Sequence, residues 1–360
     1  MKIAVLGGGN GSYAAAADLS DRGHEVRFWR RDADALRPVL ESHSIRRRDF
    51  SGTRDIKIAR PTTDIADAVR GAELIVAPIP AFAQADLAAQ IAPHLADGQV
   101  IFLPPGTFGS YLMTKVVRAA AGCRAEIMIA ETGTLPWLTR KHGAAEVAIT
   151  TRATRLPTGV FPARLTDTAI AVITAAFPEA IEPVEDALSG ALMNAGPIIH
   201  PPLILMNAGP IEHFDRWDIH KEGTQPAIRR VHEALDRERI AIREALGYAA
   251  PHFPLADHYN TSNWMYGKLA HDKLVDSGDW HEHLDLKNHR YMQEDVGMGL
   301  AFLVSVGEWA GTPCPVAAGL LAIAEAVSGE PFRRSERTLH SLGLADQSRD
   351  GMRRLLQEGL

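Results

Sequence analysis

Cysteine is almost absent from the 360 residues: there are two, Cys123 and Cys314. Two thiols build neither a disulfide framework nor a cysteine-ligated zinc knuckle, and no metal is expected. Long apolar runs are missing too, none approaching the ~18 residues that a membrane span requires. A basic excess is the third absence. Lys and Arg total 38 against 44 Asp and Glu, a formal net charge of −6. Nucleic-acid binders usually gather the opposite balance on one face, so that class is set aside. What remains is ordinary for a folded chain, with 46% hydrophobic and 23% charged residues. Such a composition supports a real core. At ~150 residues per domain, the length allows two or three domains. The chain opens directly on a strand pattern, which leaves no signal peptide and makes the cytoplasm the expected location.

That first strand is Lys2–Leu6, a short apolar run ending on glycines, as buried parallel strands do. Gly7-Gly8-Gly9-Asn10-Gly11-Ser12 follows, then a helix-forming alanine run, and Glu25–Trp29 returns as a second strand. The spacing fits G-x-G-x-x-G with Ser12 in the third place. Gly7 permits the tight turn, and Gly9 lets the backbone approach a pyrophosphate. The small residue at 12 lets helix and strand pack closely. The helix start offers free N–H groups to phosphates. Gly7, Gly9, Asn10, Gly11 and Ser12 are therefore the expected dinucleotide cradle. Arg30 and Arg31 stand at the end of the second strand, where NAD enzymes usually place an acid for the ribose 2′-hydroxyl; Asp32 comes too late. An arginine pair suits a phosphate, so NADP is expected ahead of NAD.

Strand and helix patterns alternate as far as about residue 185. Residues 147–150 and 159–161 read as a closing β-hairpin, and 163–177 as a last helix. Pro78–Pro80 and Pro104–Gly109 lie at strand ends, where open α/β sheets bind ligands, which nominates Pro80 and Gly106. From Asp186 onward helical periodicity takes over in 186–207, 227–246, 284–309 and 315–328. The expected fold is α/β: a Rossmann dinucleotide-binding domain over 1–185 and an all-helical substrate and catalytic domain over 186–330. Residues 331–360 read as a polar tail helix at the surface. The mixed charges of 229–244 read as a solvated helix face. Two near-copies, Asn194–His200 and Asn207–His213, each carry a Gly-Pro that should break a helix.

These residues together resemble the octopine/nopaline (opine) dehydrogenase family over nearly the whole chain to about 330. The likeness rests on the glycine turn, the Leu103–Gly109 loop, and Glu131-Thr132 with Pro136-Trp137 and Arg140. Above all it rests on Asn194…His200-Pro201-Pro202 and Arg290–Val296. The resemblance implies reductive condensation of an amino acid with a 2-oxo acid such as pyruvate, through an imine reduced by NAD(P)H. By position it makes His200 the acid/base, Asp295 the carboxylate that holds it, and Arg290 the fork for the oxo-acid carboxylate. It adds Asn194 and Thr132 as substrate contacts and a homodimer as the candidate assembly. The physics agrees: histidine trades protons near neutrality, and a carboxylate on its other nitrogen steadies the imidazolium. The echo at His213 leaves the choice between the two histidines open. Two alternatives stand beside this reading. One is a 2-hydroxy-acid, ketopantoate or glycerol-phosphate type dehydrogenase, which would lean on a lysine such as Lys221, Lys268, Lys273 or Lys287. The other is an NADP-binding redox sensor without turnover.

Overall fold

The computed structural model describes residues 1–120, 123–260, 262–268, 270–278 and 284–360. It divides into two compact units, Met1–Ala191 with Arg354–Leu360, and Leu192–Arg353.

In the first unit the elements run β1 (Lys2–Leu6), α1 (Asn10–Asp21), β2 (Glu25–Trp29), α2 (Ala33–Ser42), β3 (Ser44–Asp49), β4 (Gly52–Lys57) and β5 (Arg60–Thr62). Then come β6 (Leu74–Val76), β7 (Val100–Leu103), β8 (Met128–Thr132), β9 (Trp137–Lys141), β10 (Glu146–Arg152), β11 (Leu156–Phe161) and β12 (Ile181–Pro183), with helices between. Eight strands form one sheet in the order β12-β11-β8-β7-β6-β1-β2-β5. β1 pairs in parallel with β2 on one side and with β6 on the other. The strand order reverses there, which opens the ligand crevice of a doubly wound sheet beyond the carboxyl end of β1. β1 is buried on both faces. Ile3 and Val5 join one core with Tyr13 and Phe28, and Ala4 and Leu6 join another with Ile75 and Leu103.

The second sheet, β4-β3-β10-β9, was not expected. The 147–150 segment does not form a hairpin with 159–161: β10 pairs with β9 and β3, whereas β11 pairs with β8 in the large sheet. α1 contacts β1 and β2 on one side and β3, β4, β9 and β10 on the other. Only small side chains suit a helix covered on both sides, and Ala14–Ala17 are fully buried.

The second unit is helical. Residues 186–207, expected as one stretch, resolve into Ala187–Ala191 at the end of the first unit and Gly196–Leu205. Neither Gly-Pro breaks a helix. Gly196-Pro197 starts Gly196–Leu205, and Gly209-Pro210 lies in the first turn of Ala208–His213. Proline loses nothing at such a position, because its missing N–H would have no intrahelical partner. Tyr291–Leu300 is a π-helical segment running into the α-helix Ala301–Ala310. The charged helix Pro226–Leu246 is not simply a solvated face, since His232, Asp236, Arg239 and Arg243 are buried. Asp236 accepts from Arg239 Nε (2.7 Å) and Leu255 N (2.6 Å), and Arg239 donates to the His252 carbonyl (2.7 Å). Residues 331–360 form three short pieces rather than one surface helix, and they bury Leu339, Leu342, Leu344, Met352 and Leu356.

Candidate active site

The glycine turn has the shape its sequence anticipated. Gly7 sits at φ +127°, a conformation that a side chain would strain. α1 then starts at Asn10 with no side-chain cap on its first N–H groups. A Cβ at Gly9 would meet nothing within 4 Å, so the backbone is open to a ligand there. Ser12 Oγ is buried without a hydrogen-bond partner among the described residues. An uncapped helix start, an open glycine and an orphaned hydroxyl fit a pyrophosphate. Gly11 lies close against Pro78 and Leu135, and the Asn10 side chain accepts from Lys141 N at 2.9 Å.

Arg30 and Arg31 behave differently. Arg30 lies against Gly8, where a Cβ would come within 2.6 Å of its Nε, and it donates to Tyr13 Oη at 3.2 Å. Arg31 points outward and pairs with exposed Asp86. Asp32 is occupied in capping α2, accepting from Ala35 N at 3.0 Å. Gly7, Gly8, Arg30, Arg31, Asp32 and Ile79 line one cleft of about 290 Å³.

Pro80 leads into a short 3₁₀ turn, and the Gly106 carbonyl accepts from Gln84 Nε2 at 2.9 Å. Glu131 and Thr132 are the fully buried end of β8. Glu131 accepts from Phe108 N (2.7 Å), Ser110 N (3.2 Å) and the Ser110 hydroxyl, so it anchors the 106–110 loop. Thr132 donates its hydroxyl to the Thr134 carbonyl at 2.6 Å, which makes it a turn-former.

In the second unit, Nδ1 of His200 lies 2.9 Å from Oδ2 of Asp295. The Gly196–Leu205 helix carries the histidine, and the π-helical segment carries the aspartate. A Cβ at Gly196 would collide with Asp295 Oδ1, so only glycine lets the two elements approach this closely. Asn194 Oδ1 accepts from Gly196 N at 3.0 Å and shapes the helix entry. π-Helical turns often mark functional sites, and this one holds the carboxylate. Burial pushes the Asp295 carboxyl up to about 7, while the charges of Arg290 and His289 pull it down. Arg290 is exposed at the start of that segment, its guanidinium 5.3 Å from the Tyr291 ring centroid. His213, the echo, is exposed and lies edge-on to Phe214.

Three residues that the sequence did not nominate surround His200. Tyr291 stacks on its ring, with centroids 3.8 Å apart and planes 13° from parallel. His220 meets it edge-on at 6.1 Å. His232 bonds the carbonyl of the preceding residue, Ile199, at 2.9 Å through Nε2. Burial drives the His232 imidazole down to about 4, so it is neutral near pH 7 and donates from Nε2. Tyr291 stood inside the Arg290–Val296 signature, but no spacing rule reports a stack. Among the described residues no helix is long and apolar enough to cross a membrane.

Residues 183–328 match the family "NAD/NADP octopine/nopaline dehydrogenase, alpha-helical domain", and residues 2–125 match the N-terminus of NAD-dependent glycerol-3-phosphate dehydrogenase. The opine dehydrogenase of Arthrobacter sp. (strain 1C) is 28% identical, with 97% of both chains covered. Octopine dehydrogenase, solved with NADH and L-arginine, superposes with a TM-score of 0.73 at 19% identity, covering 100% of this chain and 98% of that one. Yersinopine dehydrogenase with NADP+ bound gives a TM-score of 0.67 at 15% identity, covering 99% and 97%. The glycerol-phosphate likeness stops within the nucleotide-binding half, while the half that carries His200 and Asp295 is matched by the opine enzymes. Residues 183–328 thus carry the helical domain of octopine/nopaline dehydrogenases, and over nearly its full length the chain is similar to an opine dehydrogenase.

Proposed function

We propose that the protein is an NAD(P)H-dependent opine dehydrogenase that joins the amino group of an amino acid to a 2-oxo acid such as pyruvate. The observation that carries this reading is the part-buried His200–Asp295 pair on two elements of the helical unit. Condensation needs a group that first accepts and then donates protons. The amine must lose a proton before its nitrogen attacks C2 of the oxo acid. The alkoxide so formed takes a proton from the added nitrogen to become a hydroxyl, which must gain a second to leave as water, giving the protonated imine. His200 performs both transfers at its Nε2, and Asp295 on Nδ1 fixes the tautomer and steadies the imidazolium. Arg290 holds the oxo-acid carboxylate.

The Gly7–Ser12 turn and Arg30 are the residues that hold the dinucleotide, whose contribution when bound is the hydride that reduces the imine. NADP is preferred to NAD because Arg30 occupies the position of the ribose acid. The product is a secondary amine dicarboxylate.

A coupled panel tests this reading. The protein is mixed with NADPH or NADH, pyruvate and single amino acids, and nicotinamide absorbance is followed. Oxidation that requires both pyruvate and an amino acid is expected. Oxidation with a 2-oxo acid alone would assign a hydroxy-acid dehydrogenase, and none with any pair would assign a sensor.

A further inference from the structure

A third cation stands beside the first turn of α1, on a strand of the sheet that the sequence did not announce. Lys141, the last residue of β9, places Nζ 4.7 Å from the centroid of the Tyr13 ring. The Tyr13 hydroxyl is the acceptor for Arg30 Nη1, so both positive groups are held on one phenol of α1. The placement is fixed at the backbone, because Lys141 N donates to the Asn10 side chain in the first turn of α1 at 2.9 Å. Arg30 in turn lies against Gly8 of the phosphate turn.

Two like charges on one buried ring repel each other, and a dianion between them relieves that repulsion. Neither nearby carboxylate forms an ion pair with Arg30 or Lys141 among the described residues: Asp32 accepts from Ala35 N at the start of α2, and Asp86 pairs with Arg31 at the exposed rim. Burial and the Arg30 charge both lower the Lys141 pKa, as expected for an ammonium without a counter-ion.

We propose that Lys141 and Arg30 together form the receptor for the 2′-phosphate of NADPH, and that Arg31 lies outside it. The inference rests on the NAD(P)H-dependent reading above and says which side chains select the phosphorylated cofactor. It moves half of that selection from the end of β2 to a strand more than a hundred residues later.

Calorimetric titration of the full chain with 2′,5′-ADP and with 5′-AMP isolates the 2′-phosphate without any turnover. The unsubstituted protein should bind 2′,5′-ADP more tightly. Lys141→Met should shrink that preference about tenfold, the scale of one charge-assisted contact, and leave 5′-AMP unchanged. Lys141→Arg should keep most of the preference, and Arg31→Ala all of it. Lys141→Gln repeats the test should the Met variant not fold. Equal loss for both nucleotides would make Lys141 a packing residue and overturn the proposal. So would an unchanged preference, a loss on Arg31→Ala, or equal binding of both probes by the unsubstituted protein. None of these results touches the opine reading, which the substrate panel tests with NADH as well as NADPH.

Discussion

His200 and Tyr291 lie ring on ring, 3.8 Å between centroids, while Asp295 holds Nδ1 of the same imidazole from 2.9 Å. The stack sets the tilt of the ring and the carboxylate sets its rotation. Both Tyr291 and Asp295 come from the π-helical segment, so one element orients a histidine that belongs to another.

The first prediction concerns that pair. His200→Ala should lower kcat by ~10² to 10⁴, the usual contribution of a positioned acid/base. Asp295→Asn should also be severely slow, because an amide cannot steady the imidazolium. His213→Ala should leave kcat unchanged, since His213 is exposed. Dinucleotide binding, read by fluorescence, should survive all three substitutions. A costly His213 with a tolerated His200 would reverse the assignment.

A pH profile follows from burial at Asp295. Its carboxyl is raised from 3.8 to about 7, so the native state must charge a desolvated group as pH rises through that value. The sign is therefore a loss of stability on going from about pH 4 to above 7, and Asp295→Asn should flatten that part of the Tm curve. In kinetics the pair titrates as a unit, so kcat/KM for the oxo acid should be bell-shaped. Asp295→Asn leaves a single titrating group and should remove one limb. Two intact limbs in that variant would detach Asp295 from the proton transfer.

Substrate capture is a separate test. Arg290→Ala should raise KM for the 2-oxo acid at least about thirtyfold, as loss of a charge pair worth ~2–5 kcal/mol implies, and leave KM for the amino acid nearly unchanged. The same substitution removes a charge that holds the Asp295 carboxyl down, so the acid limb of the pH profile should move upward. Equal changes in both KM values would make Arg290 a support of the segment start.

The sequence made β1, α1 and β2 legible because their signals are local: an apolar run, a glycine turn and an alanine helix within thirty residues. β3 gave no such signal, and β4 gave one only at its end, where Ile56–Ala59 reads as a strand that in fact begins at Gly52. Ser44–Asp49 reads Ser-Ile-Arg-Arg-Arg-Asp, and its buried partner at Arg47 is an ion pair rather than a hydrophobic side chain. Periodicity does not register a strand whose inward residue is an arginine. Distance in sequence hid the rest. His200 and Asp295 stand 95 residues apart, and only the family likeness joined them before the structure did. His232 stayed hidden because its helix carries charges of both signs, and one buried face of such a helix looks like the solvated kind.

The same hidden sheet supplies the last prediction. Asp18, on the buried α1, accepts from Arg152 Nε and Nη2 at 3.0 and 2.6 Å and from Trp137 Nε1 at 2.9 Å. Arg152 is on β10 and Trp137 on β9, so one carboxylate ties the helix of the phosphate turn to two strands of the small sheet. Burial works to raise its pKa, but the bond and charge of Arg152 outweigh it, and the group ends below its ordinary value. A depressed carboxylate stabilises the fold at and above neutral pH and loses that contribution as pH falls through its folded value. Asp18→Ala leaves the partly buried Arg152 guanidinium with Asp49 as its remaining carboxylate, at 2.8 Å, and the Trp137 N–H without its acceptor. Breaking one side of a buried pair costs ~3–5 kcal/mol, and chemical denaturation should register a loss on that scale. Asp18→Asn keeps an acceptor for Trp137 and should fall between the two proteins. Because the turn itself is built by Gly7 and the uncapped start of α1, kcat measured well below the melting temperature should be nearly unchanged. A variant that keeps full stability and loses dinucleotide affinity would show that Asp18 acts on the cofactor turn rather than on the packing of α1.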